Sequence, residues 1–239
     1  MIKMKNHNRF RGQGMVEYSL IIALVIAVSV LGLEATGTSV REVYCMAVDG
    51  LGFSNQYCST AYCESSFDSI DGWTMAEGYG WEVREGQLCN TSNPYRNYLF
   101  NECSSENLPD DYSVKINGAT LDRGNGYGIF FRLQNYDDRP NGYAFQYDPG
   151  LGGAFVVRKW INGYEINPPI VYNRPSDYDW HGDPRDLEVQ VKGDTFTAFV
   201  DGEEVLTFTD PDYESGGVGL RTWDGTAVCM DDFSIEPLY

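Results

Sequence analysis

The chain has 239 residues, 42% of them hydrophobic, which suits one large domain with an appendage at the usual scale of about 100 to 200 residues per domain. Lys and Arg total 17 against 35 Asp and Glu, a formal charge of −18, and four of the cations (Lys3, Lys5, Arg9, Arg11) precede Gly12. A body that acidic repels phosphate backbones, which excludes nucleic acid as its partner and favours solubility and divalent cations.

Residues 19–33 hold no charge, and with Met15 and Val16 the apolar run approaches the roughly 20 residues that span a bilayer. Basic residues before it, with Glu34 and Asp49 after it, place the N-terminus inside and the body outside by the positive-inside rule. An ordinary secretory signal would end in a small-x-small site, for which only Ala35-Thr36-Gly37 is offered. Glu17 lies inside the apolar stretch, where an ionisable side chain is costly and needs a partner. Cleavage after Gly12 supplies one, because the new ammonium of Gln13 then lies four residues before Glu17.

Over residues 9–33, the basic leader, Gly12 and Glu17 at the fifth position of the cleaved chain resemble the type IV prepilin processing motif. Glu17-Tyr18 and the Leu-Ile-Ile-Ala-Leu run look most like the tight-adherence (Flp/Tad) pilins. The resemblance implies that a prepilin peptidase cuts between Gly12 and Gln13. It also implies a helical homopolymer in which Glu17 of one subunit meets the Gln13 ammonium of its neighbour, with Tyr18 beside it. Ordinary Flp pilins are little more than this helix, whereas a large body follows here.

The resulting organisation is a leader over 1–12, a transmembrane and assembly helix over 13–48, a connector over 49–63 and a sandwich over 64–239. The six cysteines (Cys45, Cys58, Cys63, Cys89, Cys103, Cys229) show no zinc-type spacing and read as structural disulfides of an oxidising exterior. Cys89 and Cys103 flank a short aromatic segment and could close across adjacent strands, while Cys229 needs a distant partner. The connectivity stays open.

From Glu64 onward, short alternating runs recur between Gly, Asn and Asp clusters, at 112–121, 127–134, 143–147 and 154–160. Residues 187–192, 195–200 and 203–209, separated by Gly193-Asp194 and Asp201-Gly202, read as a three-stranded meander with tight turns. An all-β jelly-roll sandwich accommodates so many strands while limiting exposed edges. The block 196–202, the Gly-Gly-Val-Gly-Leu at 216–220 and the terminal Asp231-Asp232-Phe233-Ser234-Ile235 resemble the concanavalin A-like lectin/glucanase superfamily. Laminin G-type modules and the 3-keto-disaccharide hydrolase-like domains share this pattern.

Retaining glucanases of that superfamily carry paired acids as Glu-x-Asp-x-x-Glu, a run absent from this sequence, and His181 alone forms no catalytic set. The expectation is a protein without catalytic residues. Trp160, Tyr164, Tyr178, Trp180 and Trp223 fall at strand ends or in loops, where rings suit stacking on sugar faces, whereas Trp73 and Trp81 read as core. Acids at Glu64, Asp231 and Asp232 would adjoin if the first and last strands pair, offering a structural Ca2+ site, and the Asp-rich loops at 136–138 and 177–186 are alternatives. No other cofactor is expected.

The sequence therefore describes the subunit of an extracellular Tad/Flp-type pilus filament, inserted in the cytoplasmic membrane as a precursor and assembled by pilus machinery. The alternative is a filament-borne or membrane-anchored adhesin that binds glycans. Mass spectrometry of the mature protein should find Gln13 as its first residue, whereas an intact Met1 would overturn the processing motif. Glu17→Ala should still be processed but assemble poorly, because a buried charge without its partner costs several kcal/mol.

Overall fold

The computed structural model describes residues 61–91, 96–105, 108–175, 179–223 and 225–238. The leader, the apolar segment and the positions Gly12, Gln13, Glu17, Tyr18, Cys45, Cys58 and Tyr178 lie outside the described residues. Among the described residues no helix is long and apolar enough to cross a membrane.

In chain order the strands are β1 (Cys63–Ser65), β2 (Trp73–Glu77), β3 (Trp81–Arg84), β4 (Gln87–Asn90), β5 (Arg96–Asn101) and β6 (Tyr112–Arg123). There follow β7 (Tyr127–Leu133), β8 (Gly142–Asp148), β9 (Ala154–Ile161), β10 (Tyr164–Glu165) and β11 (Val171–Asn173). The last are β12 (Arg185–Lys192), β13 (Thr195–Val200), β14 (Glu203–Thr209), β15 (Gly217–Trp223), β16 (Ala227–Met230) and β17 (Asp232–Pro237).

They form two antiparallel sheets. The first runs β14-β13-β12-β6-β16-β4-β3, with β17 paired to β6 and β1 to β17. The second runs β10-β9-β8-β7-β15-β5-β2, with β11 paired to β9. Successive side chains of a strand point to opposite faces. Val114 and Ile116 of β6, Val189 and Val191 of β12, Ile129 and Phe131 of β7, and Val218 and Leu220 of β15 therefore meet in one core between the sheets. The meander matches its sequence pattern. Asp201 and Gly202 both take positive φ, 52° and 79°, as an Asp-Gly type I′ turn requires.

β6 is the spine of the first sheet, and its Gly118 resolves a conflict of register. β16 and β17 pair in turn with the two halves of β6, and Asp231 between them donates its N–H to the Asn117 carbonyl at 3.0 Å. At Gly118, where φ is 62°, a Cβ would come within 2.0 Å of Asp231 Oδ2, so only glycine lets the strand bulge against this break.

The disulfides correct one sequence expectation. Cys89 does not close on Cys103: the bonds are Cys63–Cys103 and Cys89–Cys229. Cys229 lies directly opposite Cys89 in the β16–β4 register, and Cys103 follows β5, where it reaches back to β1. Cys63 belongs to β1 and so to the sandwich.

Cys89–Cys229 spans 140 residues of sequence, so its loss frees much denatured-state entropy. Cys89→Ser should cost about 2 to 4 kcal/mol. A melting temperature lower by about 5 to 15 °C in a thermal scan would show it, and an unchanged transition would contradict it.

Candidate functional site

The second sheet buries its outer face as well. Tyr98 and Phe100 of β5, Phe130 and Leu133 of β7, Ala144 of β8 and Trp160 of β9 form a second apolar cluster on that side. The Trp160 ring meets Phe130 and Tyr98 edge-on, with centroids 5.3 and 5.8 Å apart. Gly219 of β15 makes room for this layer, since a Cβ there would strike the Phe100 ring at 2.6 Å.

Beside this apolar layer the same face opens into a cleft of about 430 Å³, lined by Arg96, Gln146, Asp148, Trp160, Tyr164, Glu165, Asn167, Arg221 and Trp223 among others. Arg221 is its centre. Its guanidinium carbon lies 4.6 Å from the Trp160 ring centroid and 4.4 Å from that of Trp223, so the two indoles flank the charge. Its Nη1 donates to Gln146 Oε1 and pairs with Glu165. Arg158 of β9 donates to Asp148 Oδ2 at 2.9 Å and Asn167 Oδ1 at 2.8 Å, with its Nε 3.5 Å from Glu165 Oε2.

Several donors here have no protein acceptor: Trp160 Nε1, Arg221 Nε and the Tyr98 hydroxyl are buried without a hydrogen-bond partner. Burial pushes the Tyr98 phenol up to about 12 against the pull of Arg221 and Arg96, so it stays a neutral donor. Tyr164, in contrast, is 66% exposed on β10, with Arg96 5.8 Å over its ring.

Of the aromatic residues picked out by sequence, Trp160, Tyr164 and Trp223 converge on the cleft. Trp180 does not. It is fully buried in the core between the sheets, stacked on Tyr127 at 5.1 Å and edge-on to Tyr147 at 4.5 Å, because its Asp-rich loop turns the ring inward.

The proposed metal ligands are not gathered into a metal site. Asp231 accepts from Gln87 at 2.5 Å, Asp232 accepts from Asn117 at 2.5 Å, and Glu64 pairs with Ser234 across β1 and β17. Glu64 and Asp232 border one depression with Asp68 and Asp71, yet no group of three metal-binding side chains forms among the described residues. His181 sits 3.0 Å from Asp179 and 3.2 Å from the Gly124 carbonyl.

The polar half of the cleft escaped sequence reasoning: Arg96, Gln146, Asp148, Arg158, Glu165, Asn167 and Arg221. A signal was present in the strand parity. On β8, β9 and β15 the positions alternate with core residues, and polar Gln146, Asp148, Arg158 and Arg221 occupy the other face.

An ion cluster holds β9 from its other face. Lys159 Nζ lies 2.9 Å from Asp210 Oδ2, the Tyr143 hydroxyl donates to Asp210 Oδ1 at 2.6 Å, and the Tyr213 hydroxyl donates to the Trp160 carbonyl at 2.9 Å. Burial opposes the Asp210 charge, but hydrogen bonds from Lys159, Tyr143 and the Asp212 amide outweigh it and hold the pKa below its ordinary value.

A family model described as the 3-keto-alpha-glucoside-1,2-lyase-like domain matches residues 63–236. The fold is similar to carbohydrate binding module CBM66 from Bacillus subtilis, at 23% identity over 69% of this chain and 95% of that one, with a TM-score of 0.56. It is similar to a protein of unknown function with a galectin-like fold from Bacillus subtilis, at 11% identity over 75% and 96%, with a TM-score of 0.59. The exoplasmic/lumenal domain of VIP36 in its Ca2+/Man3GlcNAc-bound form also aligns, at 10% identity over 74% and 89%, with a TM-score of 0.57. No curated protein matches the chain. At these identities the structural likenesses establish an all-β jelly-roll sandwich fold.

A carboxylate with a depressed folded pKa adds stability above its unfolded value of about 3.9 and loses it as pH falls through the folded value. Asp210→Asn should therefore lower stability at pH 7 by about 1 to 3 kcal/mol, with the deficit shrinking as pH falls below the ordinary carboxylate range. Thermal scans of both proteins across pH check this, and a deficit independent of pH would contradict it.

Proposed function

This chain belongs to the 3-keto-alpha-glucoside-1,2-lyase-like domain family, and on that basis we propose that the outer-face cleft binds a saccharide. We further propose that the pilin-like N-terminal segment displays this sandwich outside the cell, on a Tad/Flp-type filament or at the membrane.

One observation carries the binding reading. A guanidinium is held between two indoles beside buried donors that lack protein acceptors, at the floor of a cleft with an exposed tyrosine at its rim. Ring faces suit the apolar faces of a sugar, and fixed donors suit its oxygens. The comparisons support the same reading, since CBM66 is named a carbohydrate binding module and VIP36 was solved with Man3GlcNAc. Display outside the cell is supported by the motif at residues 9–33 and by the two disulfides, which suit an oxidising compartment.

The family name denotes elimination across C1 and C2 of a 3-keto glucoside, a reaction that begins when a base takes the C2 proton. The cleft carboxylates Asp148 and Glu165 are both engaged by arginines, so their oxygens are taken up in ion pairs, which favours binding over turnover.

A glycan array probed with the full chain in detergent micelles should show saccharide binding. Tyr164→Ala should weaken it about threefold to tenfold, the scale of one aromatic contact. An array without a single bound glycan would sink the proposal, and product release from a 3-keto glucoside would replace binding with catalysis.

A further inference from the structure

A second exposed tyrosine stands beside the cleft, outside its lining. We propose that Tyr79 stacks on a further sugar unit of the ligand, so that the site takes an oligosaccharide and grips it beyond the cleft itself. The inference rests on saccharide binding by the cleft.

Tyr79 is 65% exposed, close to Tyr164 at 66%, yet its backbone is held from both sides. Asn97 Oδ1 accepts the Tyr79 N–H at 3.0 Å, and Asn90 Nδ2 donates to the Tyr79 carbonyl at 3.3 Å. Both asparagines are buried, Asn97 on β5 of the second sheet and Asn90 on β4 of the first, so the turn from β2 to β3 is tied to both layers. Gly78 has a φ of 77°, and a Cβ there would come within 2.3 Å of the Arg96 carbonyl oxygen, so glycine lets the turn lie against β5. Buried amides thus fix the attachment of an exposed ring, which lowers the ordering cost of any contact that ring makes.

The turn also adjoins the cleft. Glu77 ends β2 opposite Tyr98, and the chain then passes Arg96, the next cleft residue along β5. Arg96 lies opposite Trp223 of β15, donates from Nη1 to the Gly163 carbonyl at 3.2 Å and sits 5.8 Å over the Tyr164 ring. One residue therefore links the turn that carries Tyr79 to the rim that carries Tyr164. Neighbouring strands lie about 4.8 Å apart, so the line of β2 runs roughly 10 Å from that of β15, where Trp223 faces the cleft. A single sugar against Trp223 stops short of that line, whereas a short oligosaccharide crosses it and meets the Tyr79 ring with an apolar face.

The test is an array of gluco-, galacto-, manno- and xylo-oligosaccharides, each printed from the monosaccharide upward, probed with the full chain in micelles. The unaltered protein should bind longer oligomers more tightly than the shortest form it retains. Tyr79→Ala should remove that gain, about threefold to tenfold, while leaving the shortest bound form and the melting temperature unchanged. Tyr79→Phe keeps the ring and should keep the gain. Tyr164→Ala, at the cleft rim, should instead weaken every length. Affinity that does not rise with length, a rise that survives Tyr79→Ala, or an equal loss at every length overturns the inference and leaves saccharide binding standing. If no glycan of any length is bound, both readings fall.

Discussion

An arginine cannot shed its charge, so burying one forces its surroundings to supply counter-charge and flat apolar faces. Arg221 imposes that demand on the outer face of the second sheet. Trp160 and Trp223 supply the faces, and Gln146 and Glu165 supply the oxygens. Trp160 is in turn packed against Tyr98 and Phe130, and its carbonyl is held by Tyr213 from the segment after β14. The cleft is thus tied through β9 to the ion cluster around Lys159 and Asp210, and so to the chain that crosses from the first sheet to the second. The second sheet is buried on both faces, and Gln146, Asp148 and Arg221 lie where the outer layer opens.

The strands were legible because alternation is a local signal. The runs at 112–121, 127–134 and 154–160 correspond to β6, β7 and β9, and the Asp201-Gly202 turn fixes the register of β13 and β14. Other features were not, because they depend on tertiary placement. Trp180 sits among Asp, His and Gly in the sequence, the composition of an exposed loop, yet its ring fills the core beneath Tyr127 and Tyr147. Cys89 and Cys103 are near in sequence, but β4 and β5 belong to different sheets, so each sulfur finds a partner on a neighbour in its own surroundings. Arg158 and Arg221 read as ordinary strand polars until the second apolar layer covers them.

The cleft differs in charge from the acidic chain around it. A strongly negative surface favours solubility and repels like-charged polymers at a distance. Within the cleft, Arg96 and Arg221 are matched by Asp148 and Glu165, so its lining carries both signs. Such a lining inside an acidic surface suits recognition by close fit over long-range attraction.

The most direct test of the cleft is the indole N–H resonance of Trp160 in an amide and indole correlation spectrum, followed as saccharide is added. Trp160 Nε1 is buried and without a protein acceptor, so a ligand oxygen in the cleft should shift this resonance, with Trp223 moving beside it and Trp180, deep between the sheets, unmoved. Binding that leaves the Trp160 resonance in place, or that shifts Trp180 instead, would contradict the assignment of this cleft as the saccharide site.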